Sequence, residues 1–184
     1  IVPLHSSKCL NNYMVVWIIG LSGAGKTTLA EKVVEKIRSP KTNVVLIDGD
    51  MIREVFGNDL GHTLEDRRKN ADRICRLCRF VDDQGIHVVC AILSLFPESR
   101  LWNRKKIANY YEVYIETPIE QLQKRDYKGL YRKFSKGEIN NVAGMDIEFI
   151  PPDNPDLTIK NNGSLDNLLT HANFLANLLE NSSP

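Results

Sequence analysis

The eight residues 20–27, GLSGAGKT, constrain the fold of this chain more than any other feature. They complete the pattern G-x-x-x-x-G-K-[ST], whose glycines let successive backbone N–H groups point at one anion. A short apolar run at 14–19 precedes the pattern, and apolar residues at helical spacing follow it from Lys26. Because a strand before and a helix after are the context that the pattern requires, we interpret it as a phosphate-binding loop.

This loop implies a set of nucleotide contacts. We expect Lys26 to reach the terminal phosphates of ATP and the Thr27 hydroxyl to ligate Mg²⁺, beside the positive end of the following helix. The candidate ATP-binding residues of the loop are Gly20, Ser22, Gly23, Ala24, Gly25, Lys26, Thr27 and Thr28. The chain is therefore predicted to be a phosphotransferase that uses ATP with Mg²⁺.

Strand and helix patterns alternate along the rest of the chain, which predicts a P-loop NTPase-type α/β fold: a parallel sheet with helices on both faces. Strands are predicted at 14–19, 43–47, 86–93, 111–115 and 157–159, and helices from 26, 63, 97, 118 and 165. Residues 1–13 show no periodicity and are interpreted as a tail. Residues 14–184 are interpreted as one kinase domain.

Charge and cysteine usage narrow the class of protein. Lys plus Arg number 24 and Asp plus Glu 23, so nothing attracts the whole chain to nucleic acid or membrane. The apolar runs are too short to span a bilayer, and residues 1–13 lack a signal-peptide pattern. Cys75 and Cys78 form a C-x-x-C on an amphipathic pattern, without a second pair at zinc-site spacing. We expect core cysteines, a cytoplasmic protein, and neither nucleic-acid polymer nor membrane as partner.

Two acids mark the predicted acceptor side. Asp48 and Asp50 follow the second predicted strand, at the carboxyl edge where parallel sheets bind ligands. Beside a phosphate loop, one carboxylate can hold Mg²⁺ or its waters while the other accepts the proton of an attacking hydroxyl. The alternative is a plain turn, since Asp-Gly is common turn chemistry.

Basic residues are abundant after these acids. Arg53, Arg67, Arg73, Arg100 and Arg104 are candidates to converge on anions, and we expect about half of the basic side chains here to form a solvated face. The basic stretch 124–133 begins a polar, glycine-punctuated segment that runs to about residue 155. It is typical of a lid that closes over phosphates and excludes water.

Taken together, these motifs resemble adenylylsulfate kinase, the family that phosphorylates the ribose 3′-hydroxyl of adenosine 5′-phosphosulfate. The resemblance spans about residues 15–160. The strings that carry it are GLSGAGKTTLA at 20–30, DGD at 48–50 with Arg53, EDR at 65–67 with Asn70 and Arg73, Ser94 with Arg100 and Arg104, RDYKGLY at 125–131, and GEI at 137–139.

The resemblance implies roles for individual residues. Asp50 is implied as the base and Asp48 as the Mg²⁺ and substrate support. Ser94 stands where some accounts of the family place a phosphoserine intermediate. We interpret it as a substrate contact, because direct in-line transfer requires no covalent step. Arg125 is implied on the ATP side. The acceptor-binding residues implied are Asp48, Asp50, Arg53, His62, Arg67, Asn70, Leu93, Ser94, Lys128, Leu130, Val142 and Phe149.

The base-binding positions depart from the family. His62 and Val142 stand where the family has two phenylalanines that resemble a clamp around adenine, and Phe149-Ile150 replaces a Tyr-Glu. Losing both stacking partners should weaken adenine binding by roughly tenfold or more. An alternative is that His62 stacks adequately and Phe149 completes the clamp.

Three functions stay open. The first is a 3′-hydroxyl kinase acting on adenosine 5′-phosphosulfate. The second is the same chemistry on another nucleotide, such as the cytidine diphosphoramidate of bacterial capsule synthesis, which the altered clamp favours. The third is a regulatory NTPase switch, although the chain has no guanine-reading N-K-x-D motif. The expected partners are ATP and a small nucleotide, with a homodimer as an open alternative to a monomer.

Overall fold

The structure is a computed structural model that describes residues 13–38 and 42–182. Its centre is a five-stranded parallel sheet in the order β2-β3-β1-β4-β5. The strands are β1 Val15–Ile19, β2 Val44–Asp48, β3 His87–Ile92, β4 Tyr110–Glu116 and β5 Leu157–Lys160. The predicted α/β class with a parallel sheet is confirmed, and each predicted strand lies within one or two residues of its expected bounds.

Helices connect the strands and cover both faces of the sheet. They are α1 Lys26–Ile37, α2 Gly49–Val55, α3 Leu64–Asp83, α4 Pro97–Lys106, α5 Ile119–Arg125, α6 Leu130–Ser135 and α7 Leu165–Ser182. Two of these were not predicted. The α2 helix starts at the Asp-Gly pair, for which a plain turn was the alternative interpretation. The Asp48 carboxylate accepts the Asp50 N–H at 2.8 Å and caps the helix. The α6 helix lies inside the segment predicted as a lid.

The central strand divides the core into two layers. Every residue of β1 is fully buried, and alternate side chains point to opposite faces of the sheet. Val16 and Ile18 pack in the layer that contains buried residues of α1 and α7. Trp17 packs in the layer that contains buried residues of α3. The phosphate loop thus leaves the sheet from its central, fully buried strand.

Cys75, Cys78 and Cys90 are buried and free, as the prediction of core cysteines requires, while Cys9 lies outside the described residues. Within the described ranges, no group of three or more His, Cys, Asp or Glu side chains could hold a metal ion. Over those same ranges, none of the helices combines the length and apolar character needed to cross a bilayer. The predicted tail also falls outside the described residues, except for Tyr13.

Candidate active site

The carboxyl ends of β1, β2 and β3 open into one cavity of about 740 Å³. Because parallel strands end at the same edge, the loop after β1, the acids after β2 and Ser94 after β3 meet there. The predicted site residues that line it are Ser22, Gly23, Gly25, Lys26, Thr27, Thr28, Asp48, Asp50, Arg53, His62, Arg67, Asn70, Leu93, Ser94, Lys128 and Leu130. Sequence elements up to 108 residues apart, from Ser22 to Leu130, therefore form one site.

The phosphate loop has the backbone shape that anion binding needs. Gly23 and Gly25 have φ angles of 80° and 95°, which few side-chain-bearing residues adopt. Gly20 and Ala24 do not line the cavity but form the packed underside of the loop. Ala24 is fully buried, and a Cβ on Gly20 would lie 3.0 Å from the Ile115 carbonyl oxygen.

Lys26 lies across the loop, where its Nζ donates to the Leu21 carbonyl oxygen at 2.9 Å. Burial lowers the pKa of Lys26 from 10.5 to about 8, although the charges of Asp48 and Asp50 act in the opposite direction. Lys128 adds to the lowering. A desolvated cation whose hydrogen-bond partner among the described residues is a neutral carbonyl group is well prepared to receive the phosphates of a nucleotide.

Thr27 and Asp48 form the candidate metal position. The Thr27 hydroxyl donates to Asp48 Oδ2 at 2.8 Å, and Asp48 Oδ1 accepts the Asp50 N–H at the same distance. Two oxygen groups at the mouth of a phosphate loop suit Mg²⁺, which keeps several waters and takes its other ligands from phosphates. The residues present therefore fit the predicted metal.

Asp50 faces the same cavity and is bound by the segment predicted as a lid. Its Oδ2 accepts a hydrogen bond of 2.6 Å from Lys128 Nζ. Partial desolvation alone would raise the pKa of Asp50, but the hydrogen bond and charge of Lys128, with the charge of Lys26, lower it. The carboxylate is thus held ionised, as an acceptor of a proton or hydrogen bond.

Two arginines border the acceptor half of the cavity. Arg53 donates to the carbonyl oxygens of Leu60 and Gly61 at 3.1 and 2.7 Å, while Arg67 donates to those of His62 and Asn141 at 2.9 and 2.8 Å. Burial and these two positive charges lower the pKa of His62. The region is therefore electropositive, and it favours an anionic acceptor together with a neutral His62.

Asn70 and Ser94 form the floor of the site. Asn70 is 5% exposed and donates weakly to the Gly49 carbonyl oxygen at 3.4 Å, and its Oδ1 has no partner among the described residues. Ser94 has a φ of 53°, and its Oγ accepts from the Trp17 indole at 3.3 Å. Its carbonyl oxygen accepts from Arg100 at 2.9 Å. Such a constrained serine after a strand is common at functional sites.

Several predicted site residues lie outside the cavity. Val142 is 1% exposed and packs in the main core, so that Ala143 is the residue of this turn that lines the cavity. Phe149 packs on Tyr114 with ring centroids 6.1 Å apart. Arg125, which is implied on the ATP side, donates to Asn161 and Gly163 and does not line this cavity. Of the two positions implied for the adenine clamp, His62 therefore lines the cavity and Val142 does not.

Three of the five arginines considered as anion ligands lie outside the cavity and bind protein groups there. Arg73 forms an ion pair with Asp59 at 2.6 Å, and Arg104 forms one with Asp156 at 3.0 Å. Arg100 is 6% exposed and also donates to the Ile150 carbonyl oxygen. The partners of these three arginines are carboxylates and a carbonyl oxygen in loops and next to β5. The spacing of arginines in the sequence does not show such contacts.

The structure adds cavity residues that the sequence did not single out. They include Asn58, Phe96, Tyr127, Asn140, Asn141 and Ala143. Phe96 is covered by the Arg68 guanidinium at 4.2 Å, whereas Tyr127 is 89% exposed. Tyr127 sits inside RDYKGLY, so its place in a motif was the signal that could have identified it.

Comparison with known proteins agrees with this geometry. The adenylylsulphate kinase family model matches residues 12–160. A cytidine diphosphoramidate kinase of Campylobacter jejuni is 42% identical over 154 residues, covering 82% of this chain and 88% of the relative. An adenylyl-sulfate kinase of Halothermothrix orenii is 38% identical over 147 residues, covering 80% of each chain.

Solved structures show the same relationship. The APS kinase CysC of Mycobacterium tuberculosis, solved in complex with AMPPNP and APS, superposes with a TM-score of 0.82 at 33% identity. The match covers 91% of this chain and 98% of the other. The chain belongs to the adenylylsulphate kinase family and is a phosphotransferase of that family.

Proposed function

We propose that this kinase transfers the γ-phosphoryl group of ATP to the ribose 3′-hydroxyl of a nucleotide with a modified 5′-phosphate. The observation that carries the proposal is the position of Asp50: its carboxylate shares one cavity with Lys26 of the phosphate loop and with Arg53 and Arg67. A proton acceptor between a triphosphate site and an electropositive acceptor site is what in-line transfer to a hydroxyl requires.

Each residue then has a chemical task. Lys26 and the backbone N–H groups of the loop bind the β- and γ-phosphates and stabilise the charge that develops during transfer. Thr27 and Asp48 would hold Mg²⁺, which supplies further charge neutralisation on the phosphate oxygens. Asp50 accepts the proton of the attacking hydroxyl. Arg53 and Arg67 bind the acceptor's anionic phosphate group and hold its ribose in line.

For the acceptor base we favour cytosine over adenine. Of the aromatic rings that line the cavity, Phe96 and Tyr131 are buried, and the Tyr131 hydroxyl is bound to the Ser22 carbonyl oxygen at 2.9 Å. His62 and Tyr127 are exposed. A site with little aromatic area and several polar side chains suits a small base that is read by hydrogen bonds. The 42% identity to a cytidine diphosphoramidate kinase supports the same choice.

The second candidate acceptor is adenosine 5′-phosphosulfate, because adenylyl-sulfate kinases are among the relatives at 33–38% identity. Measuring kcat/KM for each acceptor with saturating ATP and Mg²⁺ distinguishes the two candidates. We expect the cytidine compound to be preferred. A preference for the adenine compound of a hundredfold or more, about 2.7 kcal/mol, would refute the assignment of the base.

A regulatory NTPase switch predicts a different result in the same assay. A switch turns over ATP without an added nucleotide acceptor, whereas the proposed kinase requires one. If ATP turnover is equal with and without every acceptor tested, transfer to a nucleotide hydroxyl is not the function.

A further inference from the structure

The ion pair between Lys128 and Asp50 joins two residues with different tasks. Asp50 lies in the first turn of α2 and is the proposed proton acceptor, while Lys128 lies 78 residues later in the segment that follows α5. The 2.6 Å hydrogen bond occupies Oδ2 of the carboxylate. An oxygen that is already bound to an ammonium group is a poorer proton acceptor for a hydroxyl or for water.

The backbone beside Lys128 is anchored. Asp126 accepts hydrogen bonds from the N–H groups of Tyr131 and Arg132 at 3.1 and 3.0 Å, and the Gly129 N–H closes the turn onto the Asp126 carbonyl oxygen at 2.8 Å. Tyr131 ties this turn to the phosphate loop through Ser22. The Lys128 ammonium can therefore change partner by rotating its side chain, without movement of the backbone.

The pair is also easy to exchange. The Lys128 and Asp50 side chains are 69% and 66% exposed, and exposed ion pairs contribute little to stability because water competes with each partner. An acceptor phosphate that enters this cavity brings a stronger anion for Lys128. The ammonium would then leave the carboxylate, which becomes available at the moment when the hydroxyl is in place.

We propose that Lys128 is a positioning residue that blocks the Asp50 carboxylate until the anionic group of the acceptor takes over the Lys128 ammonium. The inference rests on the proposed role of Asp50 as proton acceptor. Its consequence is discrimination between the acceptor and water. With the acceptor absent, Lys128 occupies Oδ2 of Asp50 and its positive charge makes the whole carboxylate less basic, so hydrolysis of ATP by a water molecule near the γ-phosphate is suppressed.

The reaction that Lys128 suppresses is ordinary hydrolysis. The oxygen of water bonds to the γ-phosphorus, the bond from that phosphorus to the β–γ bridging oxygen breaks, and the water proton passes to Asp50 and then to solvent. ADP and phosphate leave. No oxidant, reductant or further reactant is needed.

The test measures ATP hydrolysis with Mg²⁺ and without any acceptor. Lys128→Met removes the ammonium and keeps much of the side-chain length, so we expect hydrolysis to rise at least about tenfold, within the contribution typical of a general base. Lys128→Arg, which keeps a positive charge, should restore most of the suppression. The matched control is Lys133→Met, an exposed lysine on α6 that does not line the cavity.

A double variant identifies the path of the effect. In Lys128→Met with Asp50→Asn, the rise should disappear, because the amide cannot take the water proton. Unchanged or lower hydrolysis in a folded Lys128→Met protein would overturn the inference, as would a rise that persists in the double variant. If no nucleotide acceptor is phosphorylated, that result would count against the proposed function instead. The comparison of ATP hydrolysis rates still tests the role of Lys128 in that case, because it uses no acceptor.

Discussion

Lys26 should take up a proton when ATP binds. Burial places its pKa near 8 in the free protein, so at pH 8 about half of the molecules carry a neutral Lys26. The phosphates favour the ammonium form and raise this pKa. Binding at pH 8 should therefore take up about half a proton, and the affinity for ATP should fall about tenfold between pH 7 and pH 9.

Calorimetry in two buffers of different ionisation enthalpy measures this uptake directly. Lys26→Arg keeps a charge that does not titrate in this range, so it should still bind ATP without taking up a proton. Lys36→Met, at the exposed far end of α1, should behave like the wild type. Equal proton uptake by wild type and Lys26→Arg, or an ATP affinity that is flat from pH 7 to pH 9, would refute the reasoning.

Three further substitutions test other parts of the account. Asp50→Asn should retain ATP binding and lose most transfer, about 10²-fold or more; an ATP Kd that collapses while turnover stays high would assign Asp50 to the nucleotide site. Arg67→Ala should raise the KM for the acceptor by tenfold or more, about 1.4 kcal/mol, and leave the KM for ATP nearly unchanged. Equal increases in the two KM values would place Arg67 outside the acceptor site. Gly25→Ala should lower the free energy of unfolding more than Gly57→Ala. Both have positive φ, which costs about 1–3 kcal/mol for alanine, but only at Gly25 would a Cβ lie 2.5 Å from a Leu168 methyl group; urea denaturation showing equal losses would contradict the packing argument.

Local patterns were enough to predict the sheet and the position of the glycine-rich loop at its edge. The run before Gly20 is apolar at every position, which is the signature of a strand buried on both faces, and β1 is indeed fully buried. The α2 helix was missed because Asp-Gly serves a turn and a helix start equally well. The capping hydrogen bond from Asp50 N–H to Asp48 decides between them.

The acceptor half depends on contacts between distant parts of the chain, which no local pattern contains. Motif alignment placed Val142 at the base, but its side chain packs in the core and its neighbour Ala143 faces the cavity. Arg104 could have served an anionic ligand, yet Asp156 pairs with it from 52 residues away. The Lys128–Asp50 pair spans 78 residues in the same way.

The central claim is transfer from ATP to the 3′-hydroxyl of a nucleotide. The most direct measurement follows ³¹P NMR of the protein with ATP, Mg²⁺ and cytidine diphosphoramidate, beside a parallel sample of the 3′-deoxy compound. The account predicts a new phosphomonoester signal, formed one-for-one with ADP, in the first sample and none in the second. A phosphorylated product from the 3′-deoxy compound, or ADP formation with only inorganic phosphate in both samples, would contradict the claim.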